Sequence, residues 1–246
     1  KHGRLHESWD ELPDIAREGE DYRADDFFGG NAAGIREKLP YLRSLGVTAI
    51  YPTPVFLSSS NHRYDTADYL KIDDLFGGEE EFRRLVADAK KAGISVILDG
   101  VFNHTGADSV YFNKFGNFPG VGAYGGRQSP YYDWYTFFDF PDDYHCWWGS
   151  TVVPTVNKSA EGWRELVLGR NGVIDKWTKA GVRGWRLDVV DELPTDFTEA
   201  LCAAIRGSGK DSLVIGEVWE DASDKVSYGT WRPYFMGDEL DGVMNY

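Results

Sequence analysis

The chain has 246 residues, 42% of them hydrophobic and 15% aromatic, enough for a large core and against disorder, and the length suits one α/β domain. With 40 acidic against 26 basic residues the formal net charge is −14. Such a surface repels nucleic acid and anionic membranes, which excludes both as partners and leaves room for a neutral ligand.

No apolar run is long enough for a membrane span or a signal-peptide core, which fits a cytoplasmic protein and a mature secreted one alike. The two cysteines, Cys146 and Cys202, form neither a metal spacing nor a disulfide framework. In chain order, Ile35, Leu39, Leu42 and Leu45 recur at helical spacing up to Gly46, with Pro40 as a blemish, and Val47–Tyr51 then reads as a buried strand. Glu79–Glu81 open a second helix striped by Phe82, Leu85, Val86 and Ala89 and closed by Gly93; strand Ile94–Asp99 follows. Residues 104 to about 158, rich in Gly, Asp and aromatics, have no clear period, and an insertion of that length after a strand tip is usually functional. Trp163, Leu166, Val167, Arg170, Ile174 and Trp177 trace one further helix face. Strand Val182–Asp188, a helix carrying Phe197, Leu201, Ala204 and Ile205 with Cys202 as a buried thiol, strand Leu213–Val218 and a last strand Leu240–Met244 complete the pattern. Strands alternating with helices predict a parallel sheet with right-handed crossovers.

Two apolar runs end in a carboxylate: Gly184–Asp188 and Ile215–Glu217. Either acid alone reads more simply as a helix cap or an arginine partner. Together, at the C-terminal ends of neighbouring strands, they can flank one glycosidic bond. Arg186, two residues before Asp188, shares its side of the strand and is expected to keep Asp188 ionised, as a nucleophile requires. Ile215, Val218 and Trp219 around Glu217 are expected to raise its pKa, as a general acid requires. Asp99-Gly100-Val101-Phe102-Asn103-His104 follows a strand; its imidazole can meet a sugar hydroxyl, and the Asn103 carbonyl can hold the loop or a hard cation. Tyr64-Asp65-Thr66 reads either as an Asx turn or as a ring for stacking on a pyranose, with Asp65 holding the loop.

With Asp99–His104, Gly184–Glu192 and Gly216–Trp219 in that order, the chain resembles the catalytic region of the α-amylase superfamily, glycoside hydrolase family 13. Trp147-Trp148-Gly149 and Val153–Asn157 are similar to the neopullulanase and cyclomaltodextrinase branch, with Val156 where that branch has Leu. The resemblance implies an α/β fold, a (β/α)8 TIM barrel that is incomplete, with strands 2–6 present and a domain B insertion after strand 3. The implied divisions are 1–103 (strands 2–3), 104–158 (domain B) and 159–246 (strands 4–6). It implies a retaining hydrolase of α-1,4 glucans, extending to α-1,6 linkages, such as starch, maltodextrin, pullulan or cyclodextrin. Asp188 is then the nucleophile, Glu217 the acid and base, and Tyr64, Asp99, His104, Arg186, Glu192 and Trp219 bind substrate, Tyr64 at subsite −1 and Glu192 at +1 or +2. Retention implies carboxyl groups about 5 to 5.5 Å apart. No cofactor is needed for the chemistry; a structural calcium is allowed, and Gly29-Gly30-Asn31 resembles a calcium loop that often ends in Asp instead.

The family's third acid, the Asp of a His-Asp pair, is absent: the histidines precede Gly3, Glu7, Arg63, Thr105 and Cys146. The expectation is therefore that these residues alone are inactive. Two alternatives stand beside this reading. One is a non-catalytic relative that binds carbohydrate or a protein partner. The other is a metal-dependent barrel hydrolase using Asp99, His104 and Asp188.

Overall fold

The structure, a computed structural model, describes residues 3–13, 24–207, 212–237, 239–244 and 246. In chain order the strands are β1 (Arg4–Leu5), β2 (Asp26–Phe27), β3 (Ala49–Ile50), β4 (Phe56–Ser58), β5 (Thr66–Ile72), β6 (Ser95–Gly100), β7 (Phe137–Asp139), β8 (Asp143–Tyr144), β9 (Gly184–Leu187), β10 (Leu213–Gly216), β11 (Lys225–Ser227), β12 (Thr230–Arg232) and β13 (Gly242–Val243). The helices are α1 (Ala32–Ser44), α2 (Gly78–Lys91), α3 (Glu161–Leu168), α4 (Val173–Lys179) and α5 (Thr195–Gly207).

Five strands form one parallel sheet in the order β3-β6-β9-β10-β13, strands two to six of an incomplete (β/α)8 barrel. The register pairs Ala49 with Ser95, Ile97 with Gly184, Gly184 with Leu213 and Ile215 with Gly242. Helix α2 follows its sequence pattern closely: Phe82, Leu85, Val86 and Ala89 are buried, three glutamates open it, Lys90 and Lys91 close it, and Gly93 leaves it at φ 71°. Helix α1 runs through Pro40 on its exposed side.

The single helix expected from Trp163 to Trp177 is two. Gly169 and Gly172 turn the chain between them, Gly172 N donating to Gly169 O at 2.9 Å, and Arg170 points to solvent. Trp163, Val167, Ile174 and Trp177 nevertheless all face the core, so the period survived the break. Three hairpins, β4–β5, β7–β8 and β11–β12, were not anticipated. Cys202 is buried on α5 and both cysteines are free. Among the described residues no helix is long and apolar enough to cross a membrane.

Residues 104–158 form short turns and strands rather than long elements. Their two ends meet: Val156 N donates to Asn103 O at 3.0 Å and Thr105 N to Pro154 O at 3.2 Å. Tyr111, Phe112, Trp134, Tyr135 and Tyr144 are buried there, and Tyr111 and Trp134 pack against Tyr69 and Trp163, so one aromatic core runs through lobe and sheet.

Candidate active site

The C-terminal ends of β3, β6, β9 and β10 converge. Each strand places one group there: Tyr51 just after β3, Asp99 in β6, Asp188 just after β9 and Glu217 just after β10. Gly216 pairs with Leu187, so Asp188 and Glu217 are the next residues along adjacent strands. Arg186 ties them together. Its Nη1 donates to Asp188 Oδ1 at 2.7 Å and to both Asp99 oxygens at 3.0 and 3.1 Å, and its Nη2 lies 2.8 Å from Glu217 Oε1. All four side chains are buried. Burying three carboxylates around one guanidinium is tolerable only because each is hydrogen-bonded.

Glu217 is held by more than Arg186. Its Oε2 accepts from Val189 N at 2.9 Å, and its Oε1 from Trp219 Nε1 at 3.1 Å and from the Tyr246 hydroxyl at 3.0 Å. Val189 supplies its N–H from a left-handed backbone (φ 40°, ψ 52°), a strained setting for a β-branched residue and one that occurs at functional sites.

The expected electrostatics are reversed. Burial pushes the Glu217 carboxyl up, but Val189 N–H, the Trp219 indole, Arg186 and Tyr246 outweigh it and leave it below the ordinary range. Asp188 is pushed well above its ordinary value by burial and by the Asp99 charge, against the pull of Arg186. The physical reason is that one guanidinium is shared among three acids, and Glu217 has the further donors.

His104 is also placed differently from expectation. Its Nε2 donates to Tyr64 O at 3.1 Å, its Nδ1 faces Asn103 Nδ2 at 3.3 Å, and its ring stacks on Trp147 at 5.3 Å. Both nitrogens are therefore engaged by protein rather than free for a sugar. Burial, and secondarily Lys158, push its pKa down to about 3, so the ring is neutral. Tyr64 sits half-buried with its ring 5.9 Å from the Arg186 guanidinium, and its loop is held by Asp65, which accepts from Ser58, Ser59 and Ser60. Asp188, Glu217, Tyr64, His104 and Trp219 line one cleft of about 390 Å³ with His62, Trp147 and Val189. Asp99 lies beneath it, and Glu192 lies outside it, on the turn after Asp188.

Tyr51, Trp147, Val189 and Tyr246 were missed. Tyr51, whose hydroxyl donates to Asp99 Oδ2, had a signal in following a strand as Asp188 does; β3 itself, expected to be buried, lies at the edge of the five-stranded sheet with Ala49 exposed and Ile50 half-buried. Trp147 belongs to the Trp147-Trp148-Gly149 segment, but Val189 acts through its backbone and Tyr246 through a neighbouring strand, where no spacing reveals it.

Two of the oxygens offered for calcium already have partners within the chain. Asn31 Oδ1 caps α1 by accepting from Gly34 N at 3.0 Å, and Asn103 Oδ1 accepts from Lys158 Nζ. Among the described residues no three His, Cys, Asp or Glu side chains converge as metal ligands, and the Arg186 guanidinium stands between Asp99 and Asp188.

Residues 12–246 match the model of the alpha amylase catalytic domain. The chain belongs to that family. It is 41% identical over 269 residues to an amylopullulanase of Thermoanaerobacterium saccharolyticum, covering 98% of this chain and 20% of the relative. It is 40% identical to neopullulanase 2 of Thermoactinomyces vulgaris, covering 91% and 36%. The ligand-free cyclic alpha-maltosyl-(1→6)-maltose hydrolase of Arthrobacter globiformis superposes with a TM-score of 0.79 at 30% identity, covering 94% of this chain and 50% of that one. The chain thus spans well under half the length of these curated relatives.

Proposed function

We propose that this chain carries the catalytic pair of a retaining α-glucan hydrolase. The observation that carries the reading is the placement of Asp188 and Glu217 at adjacent strand ends, on one guanidinium, in one open cleft. Asp188 attacks the anomeric carbon and forms a covalent glycosyl-enzyme; Glu217 protonates the leaving oxygen and then takes a proton from water. Arg186 stabilises the charge that returns to Asp188 as the intermediate breaks down, and Tyr51 and Asp99 orient Arg186. Tyr64 offers a ring to the bound sugar. Relatives named for pullulan and for a maltosyl-(1→6)-maltose ring support α-1,4 glucans as substrate, with α-1,6 linkages beside them. Residues 104–158 are the inserted domain B, which brings Trp147 and Trp148 over the cleft.

Asp188→Asn and Glu217→Gln, made in the full-length protein, should each lower kcat by at least about 10³-fold while maltooligosaccharide binding persists. With an α-glycosyl fluoride, which needs no protonated leaving group, Glu217→Gln should accumulate a glycosyl adduct on the Asp188 peptide by mass spectrometry. Turnover at the wild-type rate by either variant, or a product of inverted anomeric configuration, would remove the reading.

A further inference from the structure

Past Glu217 the cleft continues in sequence. A neck of about 240 Å³ shares Trp147, Val189, Glu217 and Trp219 with the catalytic cleft. A chamber of about 610 Å³ follows, sharing Trp148, Asp191, Glu192 and Tyr228 with the neck but only Trp147 with the catalytic cleft. The order is cleft, neck, chamber.

Tyr228 stands at the neck. It sits at the tip of the β11–β12 hairpin, where φ of 51° at Tyr228 and 76° at Gly229 make the two-residue turn that matches strand twist. The residue is 76% exposed, yet its hydroxyl donates to Glu192 Oε1 at 2.6 Å. The hairpin beneath it is fastened to the turn that follows Asp188. Lys225 Nζ lies 3.1 Å from Asp191 Oδ2, and the buried Arg232 donates to Leu193 O at 2.8 Å. Trp148 and Trp219, edge to face at 5.4 Å, line the same neck. An aromatic ring fixed by a charge-assisted bond at an opening, with no part in the core, has the form of a ligand platform.

We propose that Tyr228 is a specificity-determining residue: its ring is the acceptor-side platform that decides whether the glycosyl group on Asp188 passes to a sugar or to water. This rests on the reading of Asp188 and Glu217 above. In the transfer step an acceptor hydroxyl oxygen forms a bond to the anomeric carbon. The bond from that carbon to the Asp188 oxygen breaks, its electron pair returning to the carboxylate, and the acceptor proton passes to Glu217. Water completes the same step without crossing the neck. A sugar acceptor must lie across it, so the ring of Tyr228 favours the sugar alone.

The test is the ratio of transfer products to hydrolysis products from an α-maltosyl fluoride donor with maltose as acceptor, in the full-length protein. Both products come from one glycosyl-enzyme, so the ratio does not depend on how fast that intermediate forms or on how much protein is folded. Tyr228→Ala should lower the ratio about tenfold, the size of one truncated contact residue. Tyr228→Phe, which keeps the ring, should stay within about threefold of wild type. An unchanged ratio in Tyr228→Ala overturns the inference and leaves the catalytic reading intact. Wild-type protein that turns over no glycosyl fluoride overturns both.

Discussion

Glu217 receives four donors, and they differ in kind. Val189 N–H and Arg186 belong to the wall; Trp219, nearly half exposed at 47%, and Tyr246, exposed, belong to the opening. Each donor stabilises the carboxylate over the acid, yet a general acid must hold a proton until the leaving oxygen takes it. On the proposed role of Glu217, a sugar that displaced the exposed indole and phenol would raise the Glu217 pKa at the moment its proton is needed. Trp219→Phe should therefore carry the alkaline limb of the kcat/KM profile upward by about one pH unit, the worth of one hydrogen bond to a charged group. A limb that stays in place or moves down would show that the indole does not set the proton affinity of Glu217. The acids themselves were legible in the sequence because strand and carboxylate adjoin in it. Their proton affinities were not, because Val189 donates from a left-handed backbone, Arg186 and Tyr246 reach Glu217 from neighbouring strands, and the Trp219 indole turns back onto it as a donor rather than as apolar cover.

The spacing of the two acids is set where their strands begin. Gly184 lies in β9 between Ile97 of β6 and Leu213 of β10, and a methyl group added to it would sit 2.5 Å from the Leu213 carbonyl oxygen. That oxygen is backbone and cannot swing aside, so β9 and β10 must part. Gly184→Ala should cost about 1–3 kcal/mol in chemical unfolding and lower kcat more than it raises KM, since Asp188 and Glu217 ride on those two strands. Unaltered stability would mean the strands yield more easily than their register implies. The main strands and helices were legible because each carries its own period: α2 shows its buried stripe residue by residue. The β11–β12 hairpin was not, since Val226 and Trp231 are exposed and its anchors, Lys225, Arg232 and Tyr234, are polar groups that find partners on the Asp188 turn. Polar anchoring leaves no hydrophobic period to read.

For the whole molecule, the aperiodic lobe and the sheet are joined at Asn103 and His104, and the joint is electrostatic as well as apolar. Lys158 Nζ donates to Asn103 Oδ1, and the neutral His104 ring is clamped between the Tyr64 carbonyl and Trp147. The lobe's length marked it as functional from the sequence, but its packing was hidden, because its aromatics bury in turns that have no repeat. The joint makes stability depend on pH with a fixed sign. Burial, then Lys158, hold the folded His104 pKa at about 3, whereas an unfolded histidine titrates near about 6.5. Above about 6.5 both states carry a neutral ring, and this group's contribution is fully present. As pH falls, the unfolded chain takes a proton that the folded one refuses, so stability declines through the interval from about 6.5 toward about 3, by about 1.4 kcal/mol per pH unit. Urea unfolding of the full-length protein between about pH 7 and 5 should show this slope, and His104→Asn should be flatter over the same interval by one proton. Equal slopes in the two proteins would mean that the imidazole accepts a proton while folded, and the lobe would then be joined to the sheet by a charged ring rather than a neutral one.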